Sequence, residues 1–250
     1  MKFIGIVPAR YESTRFPGKP LVLLDNKPMI QWVYENVAKA IEHVWVATDD
    51  DRIFNAVKGF GGNAIKTLYT HQSGTDRCAE AALILAKKID FDVVINVQGD
   101  EPFIRPKQVE LLKSCFTDKT EIATLIKKIE TFEELFNHNR PKVVLDKQKN
   151  ALYFSRSTIP YARGKEEKNW LSSTTFWAHI GMYAYRSDVL QKITKLKPGS
   201  LELVESLEQL RWLENGFKIK TSVTNHQSIG IDTPEDLENA LQLLKDNSIT

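Results

Sequence analysis

Short apolar runs recur along the chain, and a polar, glycine or proline residue follows most of them. The first, Phe3 to Val7, is stopped by Pro8 and is apolar at nearly every position, which is typical of a strand buried on both faces of a parallel sheet. The other runs that predict strands are Val44 to Ala47, Ala64 to Leu68, Val93 to Val97, Ile122 to Ile126, Val143 to Leu145, Ile180 to Tyr185 and Ile219 to Val223.

Segments of helical period separate many of these runs. Met29, Trp32, Val33, Val37 and Ala40 fall on one helical face, and similar spacing predicts helices over Ala79 to Ala86 and Val109 to Phe116. Near the end, Thr233 can cap a helix that begins at Pro234 and reaches Lys245. Strands that alternate with helices predict an α/β fold with a mostly parallel, Rossmann-like sheet flanked by helices.

The middle of the chain, roughly residues 132 to 185, breaks this alternation. We expect a small antiparallel insertion there, with a polar surface excursion over Ala162 to Thr175. Because no linker or repeat is visible, the prediction is one domain over residues 1 to 250.

Composition excludes several classes of protein. The chain has 250 residues, 42% of them hydrophobic, and its 34 Lys and Arg nearly balance 32 Asp and Glu, so a broad nucleic-acid-binding face is not expected. Cys78 and Cys115 lack disulfide or zinc-site spacing. The apolar runs are too short for a signal peptide or a membrane helix, so we expect a soluble cytoplasmic protein.

Charged residues follow the first strand. Arg10, Arg15 and Lys19 lie within ten residues, and the loop that leaves this strand is where ligands bind in open α/β sheets. With the hydroxyls of Ser13 and Thr14, the loop could hold a polyphosphate, although a solvated basic loop is the plainer alternative. The loop has neither a GxGxxG fingerprint nor a P-loop, which disfavours a nicotinamide dehydrogenase and an ordinary P-loop kinase.

Two carboxylates could face this loop. Asp100 follows the strand that ends at Val97, and Asp232 precedes the final helix, where Thr233 could act as the cap instead. A divalent cation such as Mg²⁺ would let both approach a triphosphate, whereas a turn or cap role is the alternative for each. The Thr48-Asp49 loop and the loop from His71 to Arg77 should reach the same edge, with His71 itself more typical of a surface residue.

Nine motifs together resemble the 3-deoxy-manno-octulosonate cytidylyltransferase family along nearly the whole chain. They are PARYESTRFPGKPL, VATDD, HQSGTDR, VINVQGDEP, KVVLD, ALYFSRSTIP, HIGMYAY, LEQLRWLENG and GIDTPEDLE, in this order. The resemblance implies a nucleotidyltransferase fold, a homodimer, Mg²⁺, and CTP with a 2-keto sugar acid (Kdo) as substrates for lipopolysaccharide biosynthesis.

The resemblance also assigns roles to matching positions. The catalytic set is Arg10, Lys19 and Asp100, and the metal set is Asp100 and Asp232. The nucleotide-binding set is Arg10, Ser13, Thr14, Lys19, Thr48, Asp49, Ser73, Gly74, Arg77 and Asp100. The sugar-binding set is Arg15, Gln98, Arg156, His179, Tyr183, Glu208 and Gln209. Asn26 and Ala178 depart from the family pattern, Ala178 on the sugar side.

Residue chemistry supports these assignments and leaves alternatives open. Arg156 could offer a planar fork to a carboxylate, and a spacing of four puts His179 and Tyr183 on one strand face, although a core-facing pair is as plausible. The apolar run Phe176, Trp177, Ile180, Met182 and Tyr183 could form a dimer contact or fill the core. Other nucleotidyltransferases and an inactive nucleotide-binding regulator are the rival functions.

Overall fold

The computed structural model describes residues 1–13, 15–226 and 230–246. The chain divides into two compact units, which we call the terminal unit (Met1–Glu110 with Ser228–Thr250) and the middle unit (Leu111–Gln227). The organisation of the whole chain as one nucleotidyltransferase domain stays a prediction. None of the helices in the described part of the chain is long and apolar enough to cross a membrane.

A parallel sheet forms the centre of the terminal unit. Its elements and the following helix are β1 Phe3–Pro8, β2 Leu23–Leu24, β3 Lys27–Pro28, α1 Met29–Ala38, β4 Val44–Thr48, α2 Asp51–Gly59, β5 Ala64–Lys66, α3 Gly74–Leu85, β6 Val93–Asn96 and α4 Pro106–Ser114. β1 pairs in parallel with β4 and β6, and β4 pairs in parallel with β5. Side chains along these strands, such as Ile4, Ile6, Val46 and Val94, are buried, so the predicted parallel α/β arrangement is confirmed.

The order of these strands determines where a ligand can bind. From β1 the chain passes to β4 and β5 on one side, and then returns to place β6 on the other side of β1. Such a reversal of strand order leaves a crevice outside the carboxyl ends of the strands, because the connections on the two sides of β1 turn away from each other. The residues that follow Pro8 and Asn96 therefore meet at this edge of the sheet.

The middle unit combines parallel and antiparallel pairs. Its elements are β7 Ile122–Lys128, α5 Phe132–Phe136, β8 Lys142–Leu145, β9 Ala151–Ser155, α6 Trp170–Ser173, β10 Trp177–Arg186, α7 Ser187–Ile193, α8 Ser200–Glu205, α9 Gln209–Glu214 and β11 Ile219–Val223. β10 runs antiparallel to β7 and β8, β8 runs antiparallel to β9, and β11 runs parallel to β7. The predicted antiparallel insertion is confirmed.

The final helix, α10 Pro234–Lys245, has the predicted bounds and belongs to the terminal unit. Thr233 Oγ1 accepts from the Asp236 backbone N–H at 3.2 Å, and the Asp236 carboxylate accepts from the Thr233 N–H at 2.9 Å. This capping box satisfies backbone donors of the first turn. Ala240 then packs into an apolar cluster with Leu24, Met29, Phe103 and Ile231.

Several expectations about the middle of the chain need correction. Trp170, within the predicted polar excursion, is only 4% exposed because it stacks on Phe176, although residues 163–169 are exposed. The apolar run considered for a dimer contact lies mostly in the core, since Phe176, Ile180, Met182 and Tyr183 are buried. Strongly exposed apolar side chains of the middle unit include Leu203 and Val204 on α8, Leu152 on β9, and Tyr161.

Candidate active site

A cavity of about 360 Å³ lies in the terminal unit at the carboxyl ends of β1 and β6. Residues of four loops line it, all of them in sequence regions singled out above. The polar lining consists of Arg10, Ser13, Arg15, Lys19, His71, Gln72, Ser73, Arg77, Gln98, Asp100 and Asp232. The structure thus brings the predicted basic loop and both predicted carboxylates to one place.

Lys19 lies between the two carboxylates. Its Nζ donates to Asp100 Oδ2 at 2.7 Å and to Asp232 Oδ1 at 2.9 Å. The Lys19 side chain is 13% exposed, whereas the side chains of Asp100 and Asp232 are 32% and 45% exposed. The ammonium is therefore mostly enclosed, while each carboxylate keeps a face towards solvent.

Mutual attraction controls the protonation of this cluster. Burial lowers the pKa of Lys19, but the charges of and hydrogen bonds to Asp100 and Asp232 outweigh burial and hold this pKa above its ordinary value. Burial raises the pKa of Asp232, but Lys19 and then Arg15, whose Nη2 lies 3.0 Å from Asp232 Oδ2, lower it overall. Lys19 and Asp232 therefore stay charged near neutral pH.

The final segment reaches the cavity through a backbone contact. The Ile231 N–H donates to the Asp100 carbonyl at 2.9 Å, and the Ile231 side chain is fully buried in the apolar cluster. Because Thr233 caps α10, the Asp232 carboxylate is not needed as a cap and faces Lys19 and Arg15. The alternative cap role for Asp232 is therefore wrong in this structure.

Packing between Tyr11 and Gly18 closes the basic loop. Gly18 has a φ of 72° and donates its N–H to the Tyr11 carbonyl at 2.9 Å. A Cβ at Gly18 would lie 3.1 Å from the Tyr11 ring, which also carries the Arg52 guanidinium at 3.2 Å from its centroid. Arg10, by contrast, is exposed on the cavity wall, available to an anion.

The floor of the cavity depends on close backbone approach to Pro8. A Cβ at Gly74 would lie 3.2 Å from Pro8 Cγ, and a Cβ at Gly99 would lie 2.9 Å from the Pro8 carbonyl oxygen. The second distance is shorter than real Cβ contacts allow, so only glycine fits at position 99 without a shift of the backbone. Gln98, the sugar-side candidate next to it, lines the cavity.

The nucleoside-side candidates occupy two layers. Ser73 is the N-cap of α3 and accepts from the Asp76 N–H at 3.1 Å. Arg77 is 4% exposed, although it reaches the cavity wall, and its Nη1 donates to Thr67 Oγ1 at 2.7 Å and lies 2.9 Å from Asp49 Oδ1. Thr48 is fully buried, and neither Thr48 nor Asp49 lines the cavity. These residues support the wall, while Thr14 lies outside the described residues.

His71 is a wall residue that sequence reasoning undervalued. Its Nε2 lies 2.5 Å from Glu80 Oε2, which also accepts from the Leu68 N–H at 2.8 Å. Burial raises the pKa of Glu80, but the bonds from His71 and Leu68 outweigh burial and lower it overall. Glu80 thereby links the segment from Leu68 to His71 to α3. The position of Glu80 on one face of a predicted helix is the only sequence signal that could have suggested this contact.

The middle unit holds the remaining sugar-side candidates. The rings of His179 and Tyr183 lie 5.3 Å apart on β10, as the spacing of four predicted. Burial lowers the pKa of His179 to about 3, so its ring is neutral at ordinary pH. Burial and then the charge of Glu208 raise the pKa of Tyr183 well above its ordinary value. Both side chains are therefore uncharged hydrogen-bonding groups.

Buried polar atoms near this pair lack hydrogen-bond partners. Among the described residues, Gln209 Nε2 and Trp212 Nε1 are buried and make no hydrogen bond. The Trp212 ring meets the Tyr183 ring edge-on at 5.1 Å. Because a buried polar group without a partner is costly, such atoms are candidates to receive ligand hydroxyls. Trp212 was not predicted from the sequence, where it looks like an ordinary core residue.

Arg156 is more engaged than the sequence suggested. Its Nε donates to the Glu205 carbonyl at 2.7 Å, Nη1 to the His138 carbonyl at 3.1 Å and Nη2 to the Ser206 carbonyl at 3.3 Å. The Glu205 carboxylate accepts from the Arg156 N–H at 2.9 Å. Three of the five guanidinium N–H groups already have protein partners, so the carboxylate-binding role of Arg156 stays a prediction that depends on the two that remain.

The donor set at Lys19 fits a divalent cation that arrives with phosphate. The described residues contain no group of three or more His, Cys, Asp or Glu that could hold a metal. Asp100 and Asp232, however, present oxygens to one shared cation, and Mg²⁺ is commonly bound by one or two carboxylates together with substrate phosphates. The pair therefore suits Mg²⁺ bound with a nucleotide.

Comparison with known proteins identifies the family. The profile of the family described as Cytidylyltransferase matches residues 4–220. A protein from Parabacteroides distasonis named 3-deoxy-manno-octulosonate cytidylyltransferase is 58% identical over 98% of both chains. The chain belongs to the 3-deoxy-manno-octulosonate cytidylyltransferase family. It is an enzyme of the nucleotidyltransferase class.

Further relatives agree with this membership. The 3-deoxy-manno-octulosonate cytidylyltransferase of Bacteroides thetaiotaomicron is 56% identical over 99% of this chain and 100% of its own length. The solved structure of CMP:2-keto-3-deoxy-manno-octonic acid synthetase complexed with CTP matches with a TM-score of 0.89 and 43% identity, over 99% of this chain and 100% of that one. The predicted fold and family are therefore confirmed.

Proposed function

We propose that this cytidylyltransferase activates 3-deoxy-manno-octulosonate with CTP. The anomeric hydroxyl oxygen of the sugar acid forms a bond to the α-phosphorus of CTP, and the bond from that phosphorus to the bridging oxygen breaks. CMP-sugar and pyrophosphate result, and the hydroxyl proton passes to solvent. The observation that carries the proposal is Lys19 between Asp100 and Asp232 in a cavity rimmed by Arg10 and Arg15.

Arg10 and Lys19 bind and neutralise the phosphates in this proposal. Lys19 uses two of its three ammonium N–H donors on Asp100 and Asp232, so the third can donate to a phosphate oxygen. Phosphoryl transfer depends mainly on positioning and on charge neutralisation, so fixed cations at the leaving pyrophosphate are the principal contribution of the chain.

Asp100 and Asp232 would hold Mg²⁺, which supplies charge neutralisation and Lewis acidity at the phosphates. Their partly exposed faces leave room for ligands other than Lys19. Asp232 also holds Arg15 at the cavity edge, so the same carboxylate positions a second cation. The role of both residues as metal ligands is a proposal supported by their shared ammonium.

Ser73 and Gly74 would read the nucleobase at the start of α3, where backbone groups line the cavity. Tyr183, Gln209, Glu208 and His179 in the middle unit would bind the hydroxyls of the sugar acid. The buried polar atoms without partners support this second assignment. Homodimer formation, the cytoplasm and lipopolysaccharide biosynthesis stay predictions from the family resemblance.

Pyrophosphate release tests the proposed function. The protein is incubated with Mg²⁺, either CTP or UTP, and 3-deoxy-manno-octulosonate, N-acetylneuraminate or glucose 1-phosphate. We expect release with CTP and 3-deoxy-manno-octulosonate, and at least about 100-fold less with UTP, because a site that satisfies the cytosine amino group leaves a buried acceptor unpaired against uracil. Equal rates with UTP, or a preference for another sugar, would contradict the proposal.

A further inference from the structure

A bulge interrupts the pairing of β7 with β10 beside the candidate sugar-binding residues. Ile180 pairs with Leu125, but the next pair is Tyr183 with Thr124, so two residues of β10 have no partner across the ladder. Because the extra residues are even in number, His179 and Tyr183 stay on the same face of the strand. The bulge thus determines how closely their rings approach.

Thr124 fills this bulge from the opposite strand. It is fully buried, and its Oγ1 lies 2.8 Å from the Met182 carbonyl oxygen and 3.2 Å from the Ile180 carbonyl oxygen. The same Oγ1 lies 3.0 Å from His179 Nε2. One hydroxyl therefore contacts the carbonyls of Ile180 and Met182, which lie on either side of Gly181 in the bulge, and the imidazole ring.

Counting protons fixes the direction of these bonds. A threonine hydroxyl has one proton, and the carbonyl oxygens can only accept. If Thr124 donated to His179, two carbonyl oxygens would face the Thr124 oxygen with no proton between them. The favourable arrangement is that Thr124 donates to the bulge and accepts from His179, which places the imidazole proton on Nε2.

The other ring nitrogen is then an acceptor. Burial keeps His179 neutral, so Nδ1 carries a lone pair rather than a proton. Within the described part of the chain, no hydrogen bond is made to Nδ1. His179 as a whole is half-buried, and its ring meets the Phe154 ring edge-on at 5.0 Å. An acceptor in this position suits a hydroxyl, whereas a carboxylate would be repelled.

We infer that Thr124 is a positioning residue that presents His179 Nδ1 as the acceptor for one hydroxyl of the sugar acid. The inference rests on the proposed function, because it assumes that the sugar acid binds at His179 and Tyr183. It assigns His179 to hydroxyl recognition and leaves the substrate carboxylate to a cationic residue. It also gives a role to a threonine that looks like an ordinary strand residue in the sequence.

Two substitutions separate the hydroxyl of Thr124 from its volume. Thr124→Val keeps the shape but removes the hydroxyl, whereas Thr124→Ser keeps the hydroxyl. We expect Thr124→Val to raise the KM for 3-deoxy-manno-octulosonate about tenfold and to change the KM for CTP less than about twofold. Thr124→Ser should stay near the wild type for both substrates.

Thr221→Val is a matched control. Thr221 is 3% exposed on β11, lies directly opposite Thr124, and donates its hydroxyl to the Lys149 carbonyl at 2.9 Å. Its substitution also removes one buried hydroxyl bond to a backbone carbonyl. We expect no change in the KM for the sugar acid, and an equal rise in both valine variants would overturn the positioning role.

Nitrogen-15 NMR of histidine-labelled wild-type protein without substrates tests the proton assignment directly, with His179→Gln used to assign the signal. We expect the His179 proton on Nε2, and a proton on Nδ1 would overturn the inference even if Thr124→Val did not fold. An unchanged sugar-acid KM in folded Thr124→Val would also overturn it. Absence of pyrophosphate release by the wild type would instead contradict the proposed function, so the two failures are distinguishable.

Discussion

The terminal unit and the middle unit handle polar groups in opposite ways. At the cavity of the terminal unit, Lys19, Asp100 and Asp232 neutralise one another and keep contact with water. In the middle unit, His179 and Tyr183 lie among aromatic rings and are kept uncharged by burial. The difference matches two kinds of ligand chemistry, since phosphates need fixed charge while sugar hydroxyls need uncharged donors and acceptors.

The two regions also differ in what holds them in place. The charged site depends on close contact between two backbone segments, because Gly99 lies directly against the Pro8 carbonyl. The uncharged site rests on side-chain packing, with Trp212 edge-on to both Tyr183 and Tyr185 at 5.1 and 5.5 Å. We therefore expect substitutions in the charged site to change kcat most, and substitutions in the uncharged site to change the protonation of His179 most.

The largest effect is expected from the carboxylates of the charged site. Asp100→Asn or Asp232→Asn removes one negative charge without a change in volume, so we expect kcat to fall about 10²–10³-fold at saturating Mg²⁺, a loss typical of a removed electrostatic stabiliser. The rate of pyrophosphate release measures this loss. Near-normal turnover would show that the carboxylate only holds Lys19 in place.

Asp90→Asn is the matched control for these variants. Asp90 lies in the same unit and pairs with Lys2 at 3.1 Å. Its side chain is 92% exposed, and Asp90 does not line the cavity. We expect its kcat to equal that of the wild type, because exposed ion pairs contribute little. A comparable loss in Asp90→Asn would indicate a general effect of net charge.

Much of the charged site could be predicted from the sequence, for a physical reason. Arg10, Lys19 and Asp100 follow the buried strands β1 and β6, so recognising those strands places their successors at one edge of the sheet. The role of Asp232 followed from the cap at Thr233, which is a local signal. These residues are close to features that short sequence patterns encode.

The uncharged site could be predicted only in part. The spacing of His179 and Tyr183 was sufficient to place both on one face, but the bulge between them and the contact with Thr124 depend on pairing between strands far apart in sequence. The partners of Arg156 are likewise backbone carbonyls some 50 positions away, at Glu205 and Ser206. Periodicity within one segment contains no information on such contacts.

Some secondary structure was missed for a related reason. The sequence pattern did not predict α2, where only Ile53 and Val57 are buried, so its apolar face is too small to stand out. Its N-cap, Asp50, accepts from the Arg52 and Ile53 backbone N–H groups and gives a local signal that could have found it.

A smaller effect, on stability, is expected from the close approach at Gly99. A Cβ there would lie 2.9 Å from the Pro8 carbonyl oxygen, a backbone atom that cannot move by a side-chain rotation. We expect Gly99→Ala to lower the free energy of unfolding by about 1–3 kcal/mol, the usual cost of overpacking, and to reduce CTP binding with it. Urea unfolding and the KM for CTP measure both effects.

Gly59→Ala is the control for this substitution. Gly59 ends α2, and a Cβ at this position would meet no atom within 4 Å. Alanine is a better helix former than glycine. The free energy of unfolding of Gly59→Ala should therefore lie between that of the wild type and a value about 1 kcal/mol higher. If Gly99→Ala were equally harmless, the cavity floor would be more adaptable than its packing indicates.

The last expected effect is a pH dependence that distinguishes the two regions. His179 has a pKa of about 3 in the folded chain against an ordinary value of 6.5, so between these values the unfolded chain binds one proton more. Its contribution therefore makes the free energy of unfolding fall as the pH is lowered from 6.5 towards 3, by at most about 1.4 kcal/mol per pH unit.

The charged cluster should not contribute in the same window. The pKa of Lys19 is raised above 10.5, so the stability that Lys19 provides is present below 10.5 and is lost as the pH rises through the raised pKa. The pKa of Asp232 is lowered below 3.8, so its contribution is present above 3.8 and is lost as the pH falls through the lowered pKa. Between about pH 5 and 6.5 both contributions are nearly constant.

Urea unfolding of the wild type and of His179→Gln at pH 7 and pH 5 tests this difference. We expect the wild type to lose more stability than His179→Gln between these two pH values, because glutamine takes up no proton. His43→Gln, at an exposed position of the terminal unit, should lose as much as the wild type. Equal losses in wild type and His179→Gln would show that the imidazole is not held neutral, and the contrast between a charged and an uncharged region would then fail at His179.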